Sequence, residues 1–369
     1  MDESLYHYSL AITMTLMTFF GLHMLLARVP EKKIFANFLL SRRLVGVALL
    51  ILVANYSVHL FYTIRLRDVH ATILMNLGTY FICYWLFSSA MITLLDNRYL
   101  TRKQFCIHLG MGVVYESFVV IASLFLSGNV QMIAIIILAA WLITYGTFLS
   151  VRILKKYYRA VKMFEETHSD EIEAYIQWMS IFTYWAIGFG VGCGLLTFLP
   201  DEYVYIWILA SIPFYVYLYC CYQNYLLFYE QVEIAIMEDD EEDEEISHSS
   251  ESDDNDAGHS DIGAQLESWV MREGFSLPGI TLKDLAALFG TNRTYLSEYI
   301  NAVYHKNFRD WITDLRIEYS KRIMLTQPDT KILEISEMSG FLSHSHFSKK
   351  FAEKEGCTPA RWREEHTSK

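Results

Sequence analysis

From residue 5 to about residue 229 the chain alternates long apolar runs with short polar breaks. Seven runs reach the roughly 20 residues that an α-helix needs to cross a bilayer: 5–27, 44–64, 71–95, 104–126, 130–151, 174–199 and 203–229. Beyond residue 261 the pattern changes. Apolar residues recur every three or four positions among polar ones, which predicts short amphipathic helices around a water-facing core. The fold class expected is all-α, with a seven-transmembrane helix bundle over 1–237, an acidic disordered linker over 238–261 and an all-helical domain over 262–369.

The last domain carries the most specific signal. Thr281 to Leu288 has helical spacing, Phe289-Gly290-Thr291 turns the chain, and Asn292 is placed to cap a second helix to Ile300. The layout recurs about 50 residues later. Ile332 to Met338 is followed by a turn at Ser339-Gly340-Phe341-Leu342, and Ser343 is placed to cap His344 to Phe351. An amphipathic helix over 308–325 joins the two. Each unit has the helix, tight turn and helix of a helix-turn-helix, and two copies are far more specific than one.

The second copy resembles the signature of the AraC-type regulators at Ile332, Ile335, Gly340-Phe341, Ser345, Phe347, Ser348, Phe351, Gly356, Pro359 and Arg363. The first matches it at Leu285-Ala286, Tyr295-Leu296-Ser297 and Arg316-Ile317. Ser320 and Ser336 stand where the family usually has alanine, and Glu298 where a basic residue is common. The resemblance covers residues 262–363 and implies two helices in successive major-groove segments of promoter DNA. Outward positions then read bases and hold phosphates: Arg293, Thr294, Ser297 and Glu298 in the first unit, and His344, Ser345, His346, Lys349 and Lys350 in the second. Leu296, Ile300, Phe347 and Phe351 should be core.

Charge sharpens this picture. Residues 238–261 hold 13 acidic side chains and no basic one, while 262–369 hold 15 basic and 14 acidic. The chain's net charge of −12 therefore belongs to the linker and does not argue against DNA binding. A tract of that composition cannot bury a core and reads as a disordered tether. A balance of only +1 in the last domain predicts modest non-specific affinity, which a homodimer on paired sites would offset.

Breaks one, three and five of the apolar half hold 5, 3 and 5 Lys and Arg, against 2, 0 and 0 in breaks two, four and six. Positive residues stay cytoplasmic. The expected location is thus a bacterial inner membrane, multi-pass, with the N-terminus outside and the DNA-reading domain in the cytoplasm. The acidic start, Met-Asp-Glu-Ser, does not read as a signal peptide.

Polar groups inside a bilayer are costly. Asn55, His59, Asn76 and Glu116 either line one cavity open to the outside, as an intramembrane ligand pocket, or hold the bundle together by interhelical hydrogen bonds. Gly188-Phe-Gly-Val-Gly-Cys-Gly194 is a candidate face for close packing within the bundle or for a dimer. Tyr215, Tyr219 and Tyr222 form a stripe beside Pro213, which is placed to kink its helix. His168, in the fifth break, reads as solvated. The six cysteines form no C-x-x-C pair, so neither a metal site nor a disulfide framework is indicated. No catalytic motif or cofactor fingerprint is present, and an enzyme is not expected.

These readings combine into a membrane-tethered one-component transcription regulator, with the membrane half as anchor and sensor. Its partners would be promoter DNA, lipids, and an apolar ligand or a membrane protein. The alternative is a membrane receptor or transporter whose helix-turn-helix domain binds protein.

Overall fold

A computed structural model describes residues 3–30, 32–96, 101–169, 173–196, 203–249 and 262–367. No β-strand occurs among them, and sixteen α-helices do. Two compact units are formed, one of residues 1–159 with 175–240, the other of 160–174 with 241–369.

The first unit contains α1 (Glu3–Leu26), α2 (Ala36–Tyr62), α3 (Ile64–Arg67), α4 (Val69–Thr93), α5 (Arg102–Phe125), most of α6 (Gly128–Thr167), α7 (Glu173–Leu196), α8 (Val204–Ala210) and the start of α9 (Ile212–Ser249). Among the described residues six helices are long and apolar enough to cross a membrane by length and composition: 4–26, 33–62, 69–93, 103–125, 128–167 and 204–227. The remaining expected span falls on α7, whose side chains from residue 189 on lie outside the described residues, as does most of the glycine run to Gly194.

Packing in this unit runs α1 on α2, α2 on α4 and α4 on α5. Small residues bring helices together, as a bilayer fold requires. A Cβ on Gly46 would stand 3.1 Å from the Gly21 carbonyl oxygen, so α1 and α2 cross almost backbone to backbone there. On the next interface Phe81 stacks between Tyr115 and Tyr145, with ring centroids 4.1 and 4.4 Å apart. The helix break expected at Pro213 is present, as the α8–α9 junction at Ser211. The tyrosine stripe packs inside the bundle: Tyr219 stacks on Phe20 at 4.5 Å, and the Tyr222 hydroxyl lies 2.7 Å from that of Ser41.

Helix α9 runs through the acid run to Ser249. Composition rules out a buried core there, but it does not prevent a helix already nucleated in an apolar segment from propagating through glutamates, which are good helix formers. Residues 250–261 lie outside the described residues.

The second unit holds α10 (Ile262–Met271), α11 (Leu282–Phe289), α12 (Arg293–Tyr304), α13 (Phe308–Thr326), α14 (Ile332–Met338), α15 (His344–Glu355) and α16 (Pro359–Thr367). Helix α13 joins two small cores. Trp311 and Ile312 at its start pack with Leu285, Leu296 and Ile300, while Ile317 and Met324 pack with Ile335, Phe347 and Phe351.

Candidate nucleic-acid interface

Local chemistry sets both turns. Thr281 and Asp284 form a reciprocal capping box at the start of α11, with bonds of 3.1 and 3.0 Å. Gly290 ends that helix at φ 64°, in the left-handed region, and Asn292 Oδ1 then accepts the Tyr295 amide at 2.7 Å to start α12. In the second unit Gly340 sits at φ 86°, and the Phe341 amide donates to the Ser336 carbonyl at 3.1 Å. Ser343 caps α15 by accepting from the His346 amide.

The two glycines differ in surroundings. Nothing would lie within 4 Å of a Cβ on Gly290, whereas one on Gly340 would meet the Ser276 carbonyl oxygen at 2.6 Å. Gly290→Ala should therefore cost about 1 kcal/mol, from backbone strain alone. Gly340→Ala should cost about 2 kcal/mol, because backbone must also shift. Urea unfolding of the two variants side by side checks the order; equal losses would refute it.

Leu296, Ile300, Phe347 and Phe351 are all fully buried, so the opposite faces of α12 and α15 are the ones left for a partner. Thr294, Glu298, His344, Ser345 and Lys349 are exposed there, and Arg293, Ser297 and Lys350 are half-buried. Lys350 is held by Glu353 at 3.0 Å. His346 departs from the expected outward placement. It is 9% exposed, with its ring edge-on to Phe341 at 5.7 Å. The reason is helical phase: two residues on from His344 the chain has turned about 200°, to the side that meets the turn.

Two features escaped the sequence reading. Arg316, matched there only by resemblance, is 1% exposed; its guanidinium donates to the carbonyls of Phe275 at 2.9 Å and Leu277 at 2.8 Å. The other is the segment of this unit from residue 160 to 169. Phe164 is fully buried, Glu165 pairs with Arg309 at 2.8 Å, and the Ser169 amide donates to the Ile280 carbonyl at 3.3 Å. His168 is bridged to Thr281 and is not the solvated residue expected. Burial drives its pKa down to about 4; the Arg293 guanidinium adds to the fall and the Asp284 carboxylate opposes it. A lone Phe and Thr among charges offered little signal for this contact.

With this geometry in place, comparison with known proteins is decisive for the domain. A helix-turn-helix domain family matches residues 285–365. Residues 285–365 form an AraC-type helix-turn-helix domain. The transcriptional regulator ExsA of Pseudomonas aeruginosa is 35% identical over 83 residues, which is 22% of this chain and 30% of that protein. The transcriptional activator NphR of a Rhodococcus species is 36% identical over 97 residues, 26% of this chain and 28% of its own. The virulence regulon activator VirF of Yersinia enterocolitica is 33% identical over 93 residues, 25% and 34% of the two chains. The chain thus spans about a third of the length of these curated relatives. The C-terminal domain of the response regulator yesN from Fusobacterium nucleatum aligns over 28% of this chain and 99% of its own, at 26% identity and a TM-score of 0.26.

In the first unit, hydrogen bonds join three of the four polar residues singled out. His59 bonds Tyr6 at 3.1 Å and Asn76 at 2.9 Å, and the Asn55 amide donates to Asn76 at 3.1 Å and to Thr79 at 3.0 Å. Glu116 stands apart from that chain, with its carboxylate against Gly78 of α4. Among the described residues no group of three or more His, Cys, Asp or Glu could hold a metal ion.

Proposed function

We propose that the chain is a membrane-tethered transcription regulator. In this reading the first unit anchors and senses, and the AraC-type domain binds promoter DNA in the cytoplasm. The observation that carries it is the matched double helix-turn-helix, whose two recognition helices keep their polar faces clear of both cores. Membrane anchoring is supported by the outer face of α5, where Ile107, Val113, Phe118, Val120, Leu124 and Phe125 are exposed. So much contiguous apolar surface is unstable in water and ordinary in lipid. The transcription regulators among the relatives favour DNA as the partner, and DNA-facing roles fall to Arg293, Thr294, Ser297, Glu298, His344, Ser345, Lys349 and Lys350. His346 is left out because it is buried.

The test is crosslinking of the full-length protein to the chromosome, with membrane and soluble fractions kept apart, followed by binding assays on the sites recovered. Promoter peaks in the membrane fraction are expected. Arg293→Ala with Lys349→Ala should weaken operator binding at least tenfold and flatten the salt dependence by about one to two charges, with insertion unchanged. Undiminished promoter occupancy in the double variant would sink this assignment. An absence of peaks would favour the domain as a protein-binding module.

A further inference from the structure

The four intramembrane polar residues singled out divide into two sets, and among the described residues only one has hydrogen-bond partners. Asn55, His59 and Asn76 bond one another, Tyr6 and Thr79. Glu116, near the middle of α5, does not. Its Oε1 is covered and has no hydrogen-bond donor among the described residues. A carboxylate in hydrocarbon cannot stay in that state uncompensated, because its charge costs several kcal/mol unless a proton or a cation meets it.

The surroundings leave room for a cation. Glu116 lines a cavity of about 530 Å³ between α4 and α5, within the span of about 300–1,000 Å³ usual for small-molecule sites. The other walls are Ile82, Trp85, Leu109, Gly112, Val113, Ser117, Val120 and Ile121, so among the described residues no basic side chain lines it. Trp85 is 6% exposed, and its indole N–H also has no acceptor among the described residues. Two glycines make the room. A Cβ on Gly78 would stand 2.6 Å from Glu116 Oε2 and 2.8 Å from Oε1, so glycine lets the carboxylate lie against α4. A Cβ on Gly112 would meet nothing within 4 Å and would project into open space. The exposed Leu109, Val113, Val120 and Ile121 place the mouth on the apolar surface of the unit.

We propose that this cavity binds a lipophilic amine, with its protonated amino group on the Glu116 carboxylate and its hydrocarbon along Ile82, Leu109, Val113 and Val120. A free amine suits the depth better than an aminophospholipid. Glu116 lies nine residues before the end of α5 at Phe125, about 14 Å at 1.5 Å per residue, and a phospholipid headgroup would have to descend that far. The proposal rests on the membrane reading of the first unit and names the class of signal it would receive.

The experiment uses the full-length protein in nanodiscs of phosphatidylcholine, titrated with dodecylamine, which is protonated at pH 7, and separately with dodecanol. Binding is read by calorimetry without DNA. One saturable dodecylamine site per chain is expected, with dodecanol at least tenfold weaker. Glu116→Gln should weaken amine binding at least tenfold. Gly78→Ala keeps the charge but displaces the carboxylate, and should also weaken binding; it decides the matter if Glu116→Gln fails to insert. Equal affinity for dodecanol, unchanged affinity in both variants, or no saturable site would each overturn the proposal. In the last case Glu116 would be a protonated packing residue. Competition by phosphatidylethanolamine placed in the disc would assign the site to a lipid headgroup and overturn the free amine. Operator binding by the same variants is measured apart, so failure of the amine site and failure of DNA regulation remain distinguishable.

Discussion

Arg316→Met is expected to destabilise the second unit by about 4 kcal/mol, a large share of the roughly 5–15 kcal/mol that holds an ordinary domain. The guanidinium is enclosed, and its donors face the Phe275 and Leu277 carbonyls and, at 3.4 Å, the Ser169 hydroxyl. Methionine fills much of the volume but donates nothing. The buried Phe275 carbonyl and the part-buried Leu277 carbonyl then lose their partners, at about 1–3 kcal/mol each when fully buried. Contact with the Phe341 ring, 5.7 Å from the guanidinium carbon, is lost as well. Arg316→Lys should recover only part of the loss, because a point-like ammonium cannot reproduce the fork that reaches both carbonyls. Hydrogen exchange across 262–367 in the full-length protein measures this. Protection in Arg316→Met equal to the parent would show that the carbonyls find other donors.

That prediction depends on contacts the sequence shows unevenly. Helix boundaries in the second unit were legible because each carries its own local chemistry: Thr281 with Asp284, Asn292, Ser343, and glycines at 290 and 340. The inner faces were legible from spacing, since Leu296 and Ile300, or Phe347 and Phe351, lie one turn apart. The covering of His346 was not legible because one helix face grades into another, and the turn residue Phe341 decides which side is covered. The acid run's composition reports on what it can bury, whereas its helix is continuous with α9. In the first unit the apolar runs marked the helices, but not which polar residues would meet. Glu116 and Asn76 are both intramembrane and polar, yet α4 presents Asn76 to His59 and Gly78 to Glu116. Positions two apart on a helix face different neighbours. Long-range contacts such as Glu165 with Arg309, 144 residues apart, leave no trace in periodicity at all.

Lowering the pH from 7.5 towards 5 is expected to loosen the segment from Phe164 to Ser169 from the helix-turn-helix, well before the carboxylates titrate. His168 falls from an ordinary 6.5 to about 4 in the folded unit. Burial is the main cause, the cationic Arg293 adds to it, and Asp284 pulls the other way. Among the described residues it also meets the Thr167 hydroxyl, 2.7 Å from Nδ1, and the Phe164 ring at 5.8 Å. The folded form therefore prefers neutral His168. Where the unfolded chain binds the extra proton and the folded one does not, stability rises with pH. The contribution is complete above about 6.5, shrinks by about 1.4 kcal/mol for each pH unit below it, and is gone once pH passes about 4, a total of about 3 kcal/mol. Amide exchange at Ser169, whose N–H is held by the Ile280 carbonyl, reads the opening directly. After correction for intrinsic exchange, protection should drop about tenfold per pH unit between 6.5 and 5 in the parent and stay nearly level in His168→Gln. An equal slope in that variant would place the titrating group elsewhere. Because Arg293 is both a neighbour of His168 and a candidate for DNA contact, neutral His168 matters to the interface itself. A protonated imidazole there would repel the guanidinium and loosen the segment held at Ile280 and Thr281.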